Sequence, residues 1–333
     1  MRNAILGQQT LISVELHSMK IILIVIAILT SAIAILEIGL RLTLGLGNPP
    51  LYIRDNEIGY LLAPNQKVRR FGNKIEINQY SMRSEAIAPE KADGTLRILL
   101  LGDSIINGGW WTDQTKTISA LIQQQLQQNC DRPVEVLNAS ANSWSPRSEL
   151  AYLKRFGTFE ADLIILVINT DDLFATAPTP LLVGKDPNYR DRKPPLAIVE
   201  LYQYYFGKPQ SMPELEAMKQ EKDRVGANLQ AIQNIKNLAI TDGIEFILTM
   251  TPLLRELETT GSRDYELKAR KRLEELTSIE QISYIDFLSV LKDFPQPEFL
   301  YRDNIHLSPQ GNYSVSETLS KSIQERPSFC KSS

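Results

Sequence analysis

Leu99-Leu100-Leu101-Gly102-Asp103-Ser104 is the stretch on which the reading of this chain turns. A short apolar run closed by glycine reads as a buried strand. Here the strand runs into Gly-Asp-Ser, a turn that would expose a serine hydroxyl at a strand end. A hydroxyl is a poor nucleophile at neutral pH and needs an adjacent base. The chain has two histidines. His17 precedes an apolar run near the N-terminus. His306 lies about two hundred residues after Ser104, in Asp303-Asn304-Ile305-His306, just before the helix start Leu307-Ser308-Pro309. Ser104, His306 and Asp303 thus supply a nucleophile, a base and a carboxylate to orient that base.

Outward from this stretch, apolar runs alternate with helical patterns. Arg97–Leu101, Val134–Asn138, Leu163–Ile168, Ile244–Thr249 and Ile282–Asp286 read as strands, with Leu163–Ile168 the most apolar and therefore central. Ile118, Leu121, Ile122 and Leu126 recur at helical spacing. Ser145-Pro146 and Ser308-Pro309 open helices as N-cap and first residue. Ser211-Met212-Pro213-Glu214 reads as a capping box heading a long helix to about Leu238. Such alternation predicts an α/β fold, a flavodoxin-like three-layer α/β/α arrangement on a parallel sheet. Ligands of such sheets sit beyond the carboxyl ends of the strands. Ser104, Ser140 and Asp171 all follow strand ends and should gather at one edge.

Together these features resemble the SGNH/GDSL hydrolase family over roughly Arg97 to Ser322. The resemblance implies hydrolysis or transfer of ester-linked acyl groups through Ser104, with His306 as base and Asp303 as its partner. It also implies an oxyanion hole built from the Ser104 N–H, the N–H of a glycine after the second strand and an asparagine side chain after the third. In Asn138-Ala139-Ser140-Ala141-Asn142-Ser143 the glycine's place falls to Ser140. In Ile168-Asn169-Thr170-Asp171-Asp172-Leu173 the asparagine's place falls to Asp171. An ionised carboxylate only accepts hydrogen bonds and would repel an oxyanion. A protonated Asp171, Asn169 as the alternative donor, or weak catalysis would each resolve the conflict. Trp110 and Trp111 are either a substrate rim or one core and one rim side chain.

Ile21–Leu36 is apolar but for Thr30 and Ser31, with Leu40, Leu42 and Leu44 beyond Glu37. Sixteen residues fall short of the roughly 20 that a span requires, but Lys20 and Arg41 could snorkel. The alternatives are a single-pass transmembrane anchor with the domain outside the cytoplasm, a signal peptide cleaved near Ala32-Ile33-Ala34, leaving a secreted or periplasmic protein, and, third, a buried core helix, which the terminal position disfavours. The expected organisation is a cytoplasmic tail at 1–18, an anchor at 19–44, a connector at 45–95 packing on the domain, the domain at 96–326 with an insertion near 175–210, and a tail at 327–333. Within the connector, Ile75-Glu76-Ile77-Asn78 alternates like a short strand. Ile77-Asn78-Gln79-Tyr80-Ser81-Met82-Arg83 resembles an I-N-S-x-G-x-R segment of membrane-anchored relatives, with Ser81 at the glycine; it also reads as plain linker. The Pro- and Tyr-rich insertion is either a cover over the site or a surface excursion.

The composition, 43% hydrophobic and 23% charged at net charge −3, is ordinary for a globular chain and gives no sign of nucleic-acid binding. No Cys/His spacing suggests zinc, and neither metal nor cofactor is called for. Cys130 and Cys330 would end the first and last helices of one face, so they either pair or remain two separate thiols. The expected function is a serine esterase or O-acyltransferase acting on acylated glycans or lipids of the cell envelope. The transferase variant would work with a membrane acyl-donor protein. The competing reading is a binding or assembly protein of the same fold with little catalysis.

Overall fold

The computed structural model describes residues 2–207 and 210–331. An N-terminal helix, α1 (Arg2–Gly39), continues through a wider turn at Leu40–Leu44. Its segment Leu16–Leu44 has a mean hydropathy of 2.9, and its apolar run is exposed up to Leu36, so it is long and apolar enough to cross a membrane.

The connector is more structured than a single short strand. It forms two antiparallel hairpins, β1 (Tyr52–Asp55) with β2 (Gly59–Leu62) and β3 (Gln66–Arg70) with β4 (Asn73–Ile77). Tyr52, Ile58, Tyr60, Ile75 and Ile77 are buried in the same core as the domain's sheet. The family-like segment after β4 is also built in. Ser81 takes φ 61°, the left-handed region that favours glycine. Arg83 is buried, and its guanidinium donates to the carbonyls of Asn107, Gly109 and Thr112, which fixes the loop after Ser104. Burial pulls its pKa down to about 10, so it remains charged at neutral pH.

The remaining elements follow in order: β5 (Leu96–Gly102), α2 (Ser104–Asn107), α3 (Ile118–Gln127), β6 (Val134–Ser140), α4 (Pro146–Phe156), β7 (Leu163–Asn169), α5 (Ala197–Phe206), α6 (Pro213–Met218), α7 (Arg224–Thr241), β8 (Glu245–Thr251), α8 (Leu254–Leu257), α9 (Asp264–Ile279), β9 (Ser283–Asp286), α10 (Phe287–Lys292), α11 (Pro309–Gln324) and α12 (Pro327–Cys330). Strands β5 to β9 form one parallel sheet in the order β6-β5-β7-β8-β9, with the apolar β7 at its centre. Side chains alternate between the faces, as the strand period requires. Leu99 and Leu101 meet α4, α7, α9 and the hairpins, whereas Leu96, Ile98 and Leu100 meet α3, α10 and α11. Three layers result.

The capping box read at Ser211 is not formed, and the long helix is two. The N-cap Met212 of α6 makes no side-chain cap, and α7 starts afresh at Asp223. The Asp223 carboxylate accepts the Gly226 N–H and a two-pronged contact from Arg272, an alternative to continuous helix that Ser211 cannot match. The insertion likewise contains an element that its composition did not suggest, helix α5.

Helices α3 and α11 pack side by side, with Gln125 bonding both Ser316 and Ser320. Their ends bring Cys130 and Cys330 into a disulfide whose Cα atoms lie 4.3 Å apart. Intact mass after alkylation without reductant is therefore expected to show no added alkyl group. Two added groups would show that the thiols are free.

Candidate active site

Strand β5 delivers Ser104 to the carboxyl edge of the sheet. The turn demands glycine at 102, where an added β-carbon would sit 2.9 Å from the Val167 carbonyl oxygen and 2.7 Å from Ile106. Asp103 caps α2 by accepting the Ile105 N–H, which leaves Ser104 at the first helical position. The segment Asp303–His306 reaches Ser104 from the other end of the chain. It is held by Tyr301 pairing with Leu307, by the Tyr301 hydroxyl on the Pro252 carbonyl and by the Leu254 N–H on the Asn304 carbonyl.

The three side chains line up. His306 Nε2 lies 3.0 Å from Ser104 Oγ, and His306 Nδ1 lies 2.9 and 3.0 Å from the Asp303 carboxylate oxygens. Those neighbours assign the imidazole proton to Nδ1, leaving Nε2 to accept the serine hydroxyl. Desolvation pushes the Asp303 carboxyl up. Hydrogen bonds from the His306 backbone and ring and from the Ile305 N–H outweigh it and hold the carboxyl below its ordinary range. The arrangement can take a proton from Ser104 and stabilise the resulting imidazolium.

The cleft above Ser104 and His306 encloses about 410 Å³. Trp110 and Trp111 both line it, so neither is purely core. Trp111 stands 4.5 Å from the His306 ring between centroids, and the Arg302 guanidinium covers Trp111 at 4.5 Å and Trp110 at 5.1 Å. Tyr189, Gln203 and Tyr204 of the insertion form part of the wall, so the insertion covers the site.

The structure does not bring together the expected oxyanion residues. Asp171 is exposed and lies outside the cleft, where its charged surroundings are Glu266, Arg255, Glu256 and Arg263. Partial desolvation beside α9 first, and then Glu266, raise its pKa. Asn169 is no free donor either. Its amide nitrogen is committed to Asp103 at 2.8 Å and Asp172 at 3.0 Å, and its Oδ1 accepts the Asp171 N–H. Ser140 closes β6 opposite Gly102, fully buried, with its hydroxyl on Asn138. The chain reaches the cleft two residues later, at Asn142 and Ser143. The Asn142 Oδ1 is buried without a partner among the described residues. Asparagine after a strand end was the available signal; Tyr189 and Arg302 offered none.

Beneath Ser104 lies an acid cluster of Asp103, Asp172 and Glu149. Desolvation raises all three, and both Glu149 oxygens lack a partner among the described residues. An isolated buried charge is costly, so Glu149 is held neutral.

The fold and these three aligned side chains define an α/β protein with a serine–histidine–aspartate site at its sheet edge. The chain belongs to the GDSL-like lipase/acylhydrolase family, which it matches over residues 100–313. No curated protein matches it. Among solved structures it is similar to a lipase/acylhydrolase from Enterococcus faecalis, at 14% identity and a TM-score of 0.44 over 69% of this chain and 96% of that one. It is also similar to an acetylxylan esterase from Geobacillus stearothermophilus, at 15% identity and a TM-score of 0.47 over 68% and 93%.

Two outcomes are expected. Because Asp171 lies outside the cleft lining, Asp171→Asn should leave the pH–rate profile for a short-chain p-nitrophenyl ester unchanged. A flattened alkaline limb would put Asp171 in the oxyanion site. Glu149 has a folded-state pKa raised above its ordinary 4.5. Stability tied to its neutral form is present below the unfolded-state value and is lost as pH rises towards the folded-state one. Thermal melts between about pH 5 and pH 8 should therefore lose less stability with rising pH in Glu149→Gln than in the unmodified protein.

Proposed function

We propose that the protein is a serine esterase or O-acyltransferase that works through an acyl-Ser104 intermediate, held at the membrane by α1 with its domain outside the cytoplasm. The observation that carries this reading is the unbroken hydrogen-bonded line from Ser104 through His306 to Asp303, opening on a cleft.

Ser104 Oγ attacks the ester carbonyl as His306 Nε2 takes its proton. Collapse of the tetrahedral adduct expels the alcohol, which regains that proton from His306. Water, or a second hydroxyl in the transferase variant, then attacks the acyl-serine by the same route in reverse. Asp303, kept ionised by its hydrogen bonds, stabilises the imidazolium in both halves. The Ser104 N–H is one oxyanion donor, and Asn142, at the cleft wall, takes the part of the expected asparagine. The aromatic lining formed by Trp110, Trp111 and Tyr189 suits the apolar face of a sugar or an acyl chain, so acylated envelope glycans or lipids are the proposed substrates. The transferase variant would draw its acyl group from a membrane partner.

A fluorophosphonate probe tests the proposal on the purified protein. Ser104 should be labelled and Ser104→Ala should not. Equal labelling of both would sink the assignment and leave a binding protein of this fold. His306→Ala should reduce p-nitrophenyl acetate turnover about as much as Ser104→Ala, because such residues act as a unit. Loss of one oxyanion donor costs about 10²–10³ in rate, so Asn142→Ala should fall in that range. A near-normal rate for Asn142→Ala would move the donor elsewhere.

A further inference from the structure

Helix α5 has three distinct sides. Glu200, Gln203, Tyr204 and Gly207, at helical spacing, line the cleft. Ala197 and Leu201 pack against Leu40 and Leu46 at the end of α1. The third side carries Tyr202, Tyr205 and Phe206, which are 64%, 70% and 69% exposed, the most open aromatic side chains among the described residues. The helix has one charged residue, Glu200, and it is turned inward onto Arg70. The outward side is thus an apolar, aromatic surface without charge, of the kind that marks an interaction site.

Its position identifies what covers it. Glu37 is the first ionisable residue after the uncharged run Ile21–Leu36, so it marks the level where the span leaves the hydrocarbon. The Glu37 carboxylate accepts the N–H groups of Ala197 and Ile198 at 2.8 and 3.0 Å, and Arg41 bonds both Glu37 and the Pro195 carbonyl. Helix α5 therefore starts at the boundary level. Tyrosine and other aromatic side chains favour that zone, where one end is apolar and the other wet.

We infer that α5 is an interfacial helix. Tyr202, Tyr205 and Phe206 seat in the bilayer surface beside α1, and the cleft on the opposite side of the same helix takes its ester from that membrane surface. The seating rests on the reading of α1 as an anchor. The substrate half rests also on the esterase reading.

The full chain, reconstituted in vesicles of phosphatidylcholine and phosphatidylglycerol, tests the seating. Nitroxide labels on Tyr205→Cys and Phe206→Cys, with the native disulfide kept oxidised, report access to oxygen and to a water-soluble nickel chelate. Both labels should favour oxygen, as Ile28→Cys within α1 should, whereas Lys271→Cys on α9 should read aqueous. Labels at 205 and 206 that match 271 while 28 favours oxygen would overturn this inference alone. An aqueous reading at 28 would bring down the anchor as well. The substrate half is tested by the double variant Tyr205→Asp with Phe206→Asp. Its turnover of soluble p-nitrophenyl acetate should be unchanged, while hydrolysis of a long-chain p-nitrophenyl ester held in the vesicles should fall about tenfold, since interfacial binding scales with the apolar area buried. Equal rates on the vesicle-held ester would overturn it. No turnover of either ester by the unmodified protein would instead count against the esterase reading, leaving the nitroxide result to stand by itself.

Discussion

The hydrogen bond between His306 and Ser104 joins residues 202 positions apart, and much of the molecule serves to hold its two ends. One end is fixed by a glycine turn, the other by a loop pinned to β8's exit through Pro252 and Leu254. Arg83 adds a third restraint from outside the sheet, tying three carbonyls that follow the nucleophile. A buried guanidinium is tolerable only when its donors are occupied. The same bonds that satisfy Arg83 therefore immobilise the Gly108–Thr112 turn and the tryptophans within it. Arg97 repeats the device at the opposite end of β5, with its donors on Glu135 and on the carbonyls of Ala88, Pro89, Glu90 and Phe159.

The acid cluster under the nucleophile is the least comfortable part of the core. Asn169 bridges Asp103 and Asp172, and Glu149 contributes a third carboxyl with no partner among the described residues. Desolvation favours the neutral acids, and the Asp103 carboxylate raises both Glu149 and Asp172 further. Native structures leave few buried polar groups unmatched, and those few tend to lie at working sites. Proximity to Ser104 is consistent with that pattern.

Helix α5 links the two ends of the proposed function. Arg70 and Glu200 form a buried pair at 2.5 Å, with Glu200 also accepting the Gly47 N–H, so β3, the turn after α1 and the insertion are joined at one point. Removing one partner of such a pair typically costs about 3–5 kcal/mol because the other charge is left buried. The wall of the cleft is thereby tied to the root of the apolar helix.

The strands and their order of burial were legible in the chain because a parallel sheet buries both faces and writes continuous apolar runs. Ser104, Asp303 and His306 were legible because their residue types are scarce or patterned: a domain with one histidine leaves little choice of base. Helix boundaries were legible where Ser-Pro opened them, and misleading at Ser211, where Asp223 with Arg272 forms a better start. What lay beyond the sequence depended on side-chain direction and distant contact. Asp171 occupies the expected place in the chain but faces α9, and Asn169 is taken by two acids. Whether Asn142 or Ser140 borders the cleft depends on where β6 stops. The sequence by itself determined which chemistry the chain can attempt and on what kind of sheet. Only the tertiary structure decided which donors face the serine and that the insertion, docked on Glu37, forms a wall of its cleft, because these follow from burial and contacts between segments far apart in the chain.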